Sequence, residues 1–551
     1  MNELRASNLD RIDGHDFDVL VVGGGINGAV VAAALASRGA DVALVERGDF
    51  AGATSQETSN LVWGGITYLG NYELRLVRKL CRSRNRLMAA YPANIREIRF
   101  LAALGATAPY PRWLAGAGTV AYWGIGGFRT ASPRVLSTRS LGRREPLVNL
   151  SGVRGAIEYA DAYLADNDAR FVFGFVRSAL DLGAAAVNYV ELTGAERAAG
   201  RWRVALRDHD AGRSLTCGAR VIVNAAGPFV GALNDSLGAR AAHRIVHSKG
   251  IHLVVDRLVP DERVLAFFDD TRRLFYVIPM GCRSVIGTTD TRVDDPDVHV
   301  TDDDRDFLLE QINARLDLPA PLGPADVIAE RCGTRPLVVP TGGGDERDAE
   351  WTSLSRRHEI DVDADHGVVT IFGGKLTDCL NVGEAAAAAV GELGVGLAAD
   401  DGSWFGEPSV ETHRTFVRQA QGLRLDELRR RAGQEPLSTR LWRRYGRRAF
   451  EMLDAVREDR SMSEDVMGSA GHVRVELHHT ARNEMVVRLD DFLRRRSTIA
   501  QVVRDEDIRG SGGLAEVAEV LFGADASARL REHYGPDFVA AGVGEEPLGT
   551  A

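Results

Sequence analysis

Asp18-Val19-Leu20-Val21-Val22-Gly23-Gly24-Gly25-Ile26-Asn27-Gly28-Ala29 is the stretch that decides the fold. Its β-branched start, short and bounded by glycine, reads as a buried parallel strand. The glycines after it stand as G-x-G-x-x-G. Ala29 to Ser37, alanine-rich and closed by Arg38-Gly39, reads as a helix with a glycine stop. A second strand, Asp41 to Val45, ends on Glu46. This spacing suits a dinucleotide: Gly23 allows the tight turn, Gly25 lets a pyrophosphate approach the backbone, and Gly28 lets helix and strand pack closely. The phosphates then lie at the positive end of the helix. Glu46, about twenty residues on, is placed to accept hydrogen bonds from the adenosine ribose.

Glu46 serves a nicotinamide and a flavin dinucleotide equally well, and the next segment bears on the choice. Ala53-Thr54-Ser55-Gln56-Glu57-Thr58-Ser59-Asn60 is hydroxyl-rich and leads to Trp63-Gly64-Gly65-Ile66. A simple nicotinamide domain would continue with another strand–helix unit here. A polar loop with paired glycines suits a backbone closing over a flavin; taken alone, it is equally a surface loop. Val221-Ile222-Val223-Asn224-Ala225-Ala226-Gly227-Pro228 is a further apolar strand running into small residues, of the kind that returns the chain to the same sheet.

A chain of 551 residues exceeds one hydrophobic core, so two or three units are expected. Hydrophobic residues make up 45% and charged ones 26%, an ordinary globular balance. A net charge of -10 argues against nucleic-acid binding, while a locally positive cleft can still take an anionic substrate. Cys81, Cys217, Cys282, Cys332 and Cys379 are widely spaced without a C-x-x-C, so neither a disulfide framework nor a metal site is expected. The acidic start (Glu3, Asp10, Asp13, Asp16) does not read as a signal peptide. Leu114 to Phe128 lacks charge but is too short to span a bilayer. The expected location is cytoplasmic, with peripheral contact on the inner face of the cell membrane left open.

Taken together, the motifs resemble the FAD-dependent glycerol-3-phosphate dehydrogenase family, a branch of the glycine-oxidase and D-amino-acid-oxidase-like flavoproteins. The likeness is carried by Gly23 to Ala29, Ala53 to Ser59, Tyr68-Leu69 and Tyr72 to Val77. It continues in Glu158-Tyr159-Ala160-Asp161, Asp168-Ala169-Arg170, Asn224 to Pro228, Lys249-Gly250-Ile251-His252 and Ile286-Gly287-Thr288-Thr289-Asp290. Gly333-Thr334-Arg335-Pro336-Leu337, Phe372-Gly373-Gly374-Lys375-Leu376-Thr377, Tyr445-Gly446, Ala481 to Met485 and Leu493 to Arg496 complete it, so it covers nearly the whole chain.

The resemblance implies FAD as cofactor and hydride transfer from a secondary alcohol carbon to flavin N5. It implies sn-glycerol 3-phosphate as substrate, dihydroxyacetone phosphate as product and a quinone as electron acceptor, and it allows a homodimer. His252 is expected as acid/base or hydroxyl ligand, Arg335 as a clamp on phosphate or the reacting oxygen, and Lys375 as a cation at the reduced flavin or substrate. Implied cofactor contacts are Gly23, Gly25, Asn27, Gly28, Glu46, Thr54, Ser55, Ser59, Gly64, Gly65, Ala226, Gly227, Gly373, Gly374, Leu376 and Thr377. Implied substrate contacts are Tyr68, Lys249 and Thr289.

Two segments depart from the family. Its H-G-G-L-R-Y-L segment reads Trp63-Gly64-Gly65-Ile66-Thr67-Tyr68-Leu69 here, so Trp63 replaces a histidine and Thr67 an arginine that contributes positive charge at the substrate site. Where the family continues T-Y-R, this chain has Asp378-Cys379-Leu380, which is expected to add negative charge near the phosphate. Arg75, Arg78, Lys79, Arg82, Arg84 and Arg86 crowd the next helix at spacings that make one face basic, read for most of them as a solvated face. Two other readings therefore stand: the same fold acting on a different polyol phosphate or unphosphorylated hydroxy compound, and a non-catalytic flavin-binding module.

The expected architecture is α/β plus α: a Rossmann-type FAD-binding domain interleaved with an antiparallel-sheet substrate domain around Lys249 to Gly287, then a C-terminal helical cap. The expected domains are 1–398 and 405–540. Leu441 to Phe450 mixes aromatics with cations, as an interfacial membrane segment does and equally as a helix packed on a core with a basic outer face.

Overall fold

The computed structural model describes residues 2–70, 72–270, 273–342, 357–428, 435–468 and 470–540. Residues Asn8–Glu407 form one compact unit; the chain from Pro408 on, with the first residues up to Ser7, forms a second.

The larger unit follows the chain through β1 (Asp16–Val22), α1 (Ile26–Ala36), β2 (Val42–Val45), α2 (Leu74–Ala90), β3 (Ile95–Ala103), α3 (Arg112–Ile125), β4 (Ala156–Leu164) and α4 (Asp168–Asp181). Then come β5 (Ser214–Asn224), β6 (His243–Asp256), β7 (Arg263–Phe268), β8 (Leu274–Met280), β9 (Arg283–Gly287), β10 (Ala329–Pro340), β11 (Val368–Phe372) and α5 (Cys379–Glu392). β11, β5, β1 and β2 run parallel side by side in an 8-stranded sheet. Their burial on both faces explains the unbroken apolar runs read in the sequence. Alanine-rich α1 is buried from Asn27 to Ala36, its small side chains letting α4 and α5 pack on it.

The second sheet has 10 strands, with β6, β9, β8 and β7 antiparallel in turn and β7 parallel to β3. β10 pairs with β6 along 12 residues, Ser248 opposite Arg335 and His252 opposite Arg331. Ile251 and Leu253 of β6 pack with Leu308 and Leu309 of the helix Asp302–Arg315. Strand alternation therefore turns Ser248, Gly250 and His252 to the opposite face. The two interleaved sheets and the separate helices match the expected fold class. The substrate sheet is wider than expected, since β3 and β4, from before residue 165, join it.

In the helical unit, α6 (Leu437–Tyr445) and α7 (Arg474–Asn483) meet over a buried carboxylate, Glu476. Arg440 and Arg444 lie 2.9 and 3.1 Å from it. The membrane reading of Leu441 to Phe450 is thereby corrected, while the packed helix is found with its charge turned round: Leu441, Trp442 and Tyr445 are buried in the core, and Arg440 and Arg444 turn inward to Glu476 rather than outward. Two guanidiniums and a backbone N–H from Val473 hold that carboxyl far below the usual carboxylate range against the opposing effect of burial.

Candidate active site

The loops that leave β1, β2, β5 and β11 at their C-terminal ends converge, the place where open parallel sheets bind ligands. Ser55 Oγ accepts from Ile26 N at 3.0 Å, tying the hydroxyl-rich loop to the start of α1. Asn27 Nδ2 donates to the Gly373 carbonyl at 2.9 Å, and Trp63 N to Thr377 Oγ1 at 3.1 Å. Thr54 Oγ1 donates to the Thr334 carbonyl at 2.7 Å, linking the cradle to the second sheet. Ala226 N donates to Asn224 Oδ1, turning the chain at Ala226-Gly227. Gly23, Gly25, Asn27, Gly28, Glu46, Thr54, Ser55, Gly64, Gly65, Ala226, Gly227, Gly373, Gly374, Leu376 and Thr377 are thus brought to one cradle. Ser59 lies half-buried in the same loop, where Asp168 accepts from Thr58 N at 2.9 Å.

FAD fits this cradle. A Cβ at Gly28 would overlap the Gly23 carbonyl, so only glycine lets α1 start this close to β1. No acidic side chain sits in the first turn of α1, leaving its positive end for phosphates. The Glu46 carboxylate accepts from Gly24 N at 2.6 Å and Gly48 N at 2.8 Å. Burial raises its pKa while those amides oppose the rise, and ribose hydroxyls would favour the ionised form further. Asn27 Oδ1 is buried at the cradle without a hydrogen-bond partner.

Facing the cradle, β6 and β10 present a cationic surface. His252 is 3% exposed, and neither ring nitrogen has a hydrogen-bond partner. Burial, then Arg331 and Arg335, hold its pKa well below the usual imidazole value, so it stands neutral. Arg335 lies across Gly250, where any Cβ would overlap the guanidinium, and donates to Thr289 O at 3.0 Å and Asp290 Oδ1 at 3.2 Å. Arg331 donates to Thr58 O at 2.8 Å and Asn60 Oδ1 at 3.1 Å, locking the loop to the sheet. Sequence reasoning missed Arg331, although 331, 333 and 335 share one face of β10 by alternation.

Lys375 Nζ donates to Tyr68 OH at 2.5 Å and lies 4.3 and 5.9 Å from the Tyr68 and Trp63 ring centroids. Trp63, where the family has histidine, therefore walls the lysine. Thr67 is exposed. Thr289 Oγ1 is engaged by Ile251 N at 3.1 Å.

Three expectations change. Lys249 points to the face opposite His252 and pairs with Asp304 at 2.5 Å, so it does not join the site cations. Asp378 is answered within the fold: His358 Nδ1 lies at 2.7 Å and Lys79 at 3.2 Å, and Ser83 and Asn381 donate to its other oxygen. Against burial, those partners pull its pKa down to about 2. Arg84, read with the basic helix face, is instead buried and pairs with Asp161 at 3.0 Å. Asp161 also accepts from Tyr122 OH at 2.6 Å and from Gly64 N at 3.2 Å, which positions the first of the paired glycines.

Fold and cradle define an FAD-dependent oxidoreductase, an enzyme. A family model described as FAD dependent oxidoreductase matches residues 18–380, and one described as C-terminal domain of alpha-glycerophosphate oxidase matches 412–529. The chain is 30% identical to the glycerol-3-phosphate dehydrogenase of Pseudomonas aeruginosa over 494 residues, covering 88% of this chain and 92% of that protein. It is 31% identical to glycerol-3-phosphate dehydrogenase 2 of Mycobacterium tuberculosis over 530 residues, covering 94% and 86%. The structure of the glycerol-3-phosphate dehydrogenase from Bacillus halodurans complexed with FAD shares the fold, with TM-score 0.72, 24% identity and 96% of each chain covered. The chain belongs to the FAD-dependent glycerol-3-phosphate dehydrogenase family.

Proposed function

We propose that the enzyme oxidises sn-glycerol 3-phosphate to dihydroxyacetone phosphate and passes the electrons to a membrane quinone, working from the inner face of the cell membrane. The observation that carries this reading is the neutral, buried His252 between Arg331 and Arg335 on the sheet face opposite the flavin cradle. FAD, when bound, supplies the acceptor for the hydride of the secondary alcohol carbon. His252 takes the hydroxyl proton at a ring nitrogen that no protein group occupies. Arg335 clamps the phosphate or the reacting oxygen, sharing its guanidinium with Asp290. Lys375, aimed by Tyr68 and Trp63, holds positive charge where the reduced cofactor or substrate carries negative charge. We assign this chemistry to residues 1–398 and a helical cap to 405–540.

Exposed Thr67 favours a second reading, in which the same site takes a different polyol phosphate or an unphosphorylated alcohol. Anaerobic titration of the purified yellow protein separates the two. Bleaching of the visible flavin band by sn-glycerol 3-phosphate and not by glycerol supports the first. Bleaching by glycerol alone, or by another polyol phosphate alone, replaces it with the second. Reduction of a soluble quinone analogue by the bleached enzyme tests the acceptor.

A further inference from the structure

The segment Trp63 to Leu69 carries no cation, and Thr67 within it is exposed. What the segment brings to the site is an indole. Trp63 is fixed from behind. Its backbone N–H donates to Thr377 Oγ1 at 3.1 Å. A Cβ on Gly64 would overlap the Tyr122 hydroxyl and Cys81 Sγ, so the backbone just after Trp63 has no room to shift that way. The buried indole Nε1 lies beside the Tyr159 hydroxyl. Tyr159 in turn stacks on Phe100 of β3, the ring centroids 4.9 Å apart, and Phe100 is fully buried.

The residue as a whole is only half-buried, and it borders Lys375 with the Tyr68 ring 6.2 Å away. A large ring locked by the core and partly open beside a site cation is a preorganised contact for a ligand. Its chemistry decides which part of a substrate it meets. The Trp63 and Tyr68 rings offer apolar contact and no fork for a phosphate. Lys375, on this side, is flanked by both rings and donates to Tyr68 OH. Arg335, whose planar fork matches a phosphate, stands on β10 with its side chain partly open.

We propose that Trp63 sets the substrate class: a phosphorylated secondary alcohol with an apolar far end, bound with its phosphate at Arg335 and that end against the indole. A methyl group meets this wall as well as the hydroxymethyl of glycerol 3-phosphate does. The step is unchanged: the hydride of the alcohol carbon goes to FAD, the hydroxyl proton to His252, and a ketone phosphate remains. This deepens the reading of the site as an alcohol-phosphate dehydrogenase, on which it rests.

Purified holoenzyme is reduced anaerobically in stopped flow by sn-glycerol 3-phosphate and by propane-1,2-diol 1-phosphate, which differ only at the far end. A site that hydrogen-bonds the terminal hydroxyl would reject the deoxy compound by roughly 10⁴-fold or more, whereas an apolar wall discriminates little. The two second-order reduction rates are expected within about tenfold of each other. W63H should shift their ratio toward glycerol 3-phosphate roughly tenfold, the worth of a lost methyl contact, and W63F should keep the wild-type ratio. The ratio cancels any loss of folding or flavin, which slows both alcohols alike. T67R should leave both rates near wild type. Rejection of the propanediol phosphate by roughly 10³-fold or more, or a W63H ratio equal to wild type, overturns the role of Trp63 and leaves the dehydrogenase reading standing. A roughly tenfold gain for both alcohols in T67R places the phosphate beside the loop and overturns the orientation. Reduction by neither alcohol removes the dehydrogenase reading itself, and this proposal with it.

Discussion

His252→Gln removes the proposed proton acceptor while keeping a polar side chain of similar reach. His252 is buried, neutral and without a hydrogen-bond partner, so the substitution breaks no hydrogen bond within the fold. Loss of a general base slows the step it serves by roughly 10²–10⁴-fold, or about 3–5.5 kcal/mol of barrier. The assay is stopped-flow flavin reduction under anaerobic conditions, with flavin content and substrate Kd measured alongside. Both of those should stay near wild type while the reduction rate falls. The structure also sets a pH signature. The folded state holds His252 neutral below its ordinary pKa, whereas the unfolded chain protonates it near pH 6.5. The unfolded state therefore binds the extra proton as pH falls, and the stability present above about pH 6.5 is lost progressively below it. His252→Gln should flatten that acid loss in urea titrations, and the wild-type rate should hold down through pH 6.5. A variant reduced as fast as wild type, or a wild-type rate that halves near pH 6.5, would refute the neutral-base reasoning.

Gly28→Ala places a Cβ on the Gly23 carbonyl and is expected to yield protein with little or no flavin, read from the ratio of visible to ultraviolet absorbance. Lys375→Met removes the cation held against Tyr68 and Trp63; the flavin should still bind while its reduction slows roughly 10²–10³-fold in stopped flow, the range for losing one preorganised charge partner. In the helical unit, Glu476→Gln leaves Arg440 and Arg444 buried without their carboxylate and should destabilise it by about 3–5 kcal/mol, seen as a lower helical melting transition by circular dichroism. A melting curve unchanged from wild type would mean that water reaches those guanidiniums.

The nucleotide half of the site was legible because its parts are contiguous. Strand, glycine turn, helix and terminal Glu46 lie within about thirty residues, and backbone sterics specify them locally. The paired glycines and the Gly373-Gly374-Lys375 turn were legible as motifs, and the structure brings them to that cradle. Charge was read less well, because a side chain's sign is written in the sequence and its direction is not. Arg84 has the same spacing as its solvated neighbours on α2, yet it is buried against Asp161, which comes from β4. Asp378 looked repulsive to phosphate until His358 and Lys79, distant in sequence, were seen to hold it.

By itself, then, the order of residues determined a dinucleotide-binding α/β fold, an antiparallel partner sheet and the helices that follow, since each rests on short-range periodicity and turn chemistry. Only the tertiary structure decided which cations face the cofactor. Pairing β6 with β10 sets His252 beside Arg331 and Arg335 and sends Lys249 to Asp304 on the other face. It also decided that the arginines near Leu441 turn inward while the apolar side of α3 turns out. The physical reason is the same in each case: the low dielectric of the interior makes a buried charge depend on its partner, and those partners lie tens to hundreds of residues away.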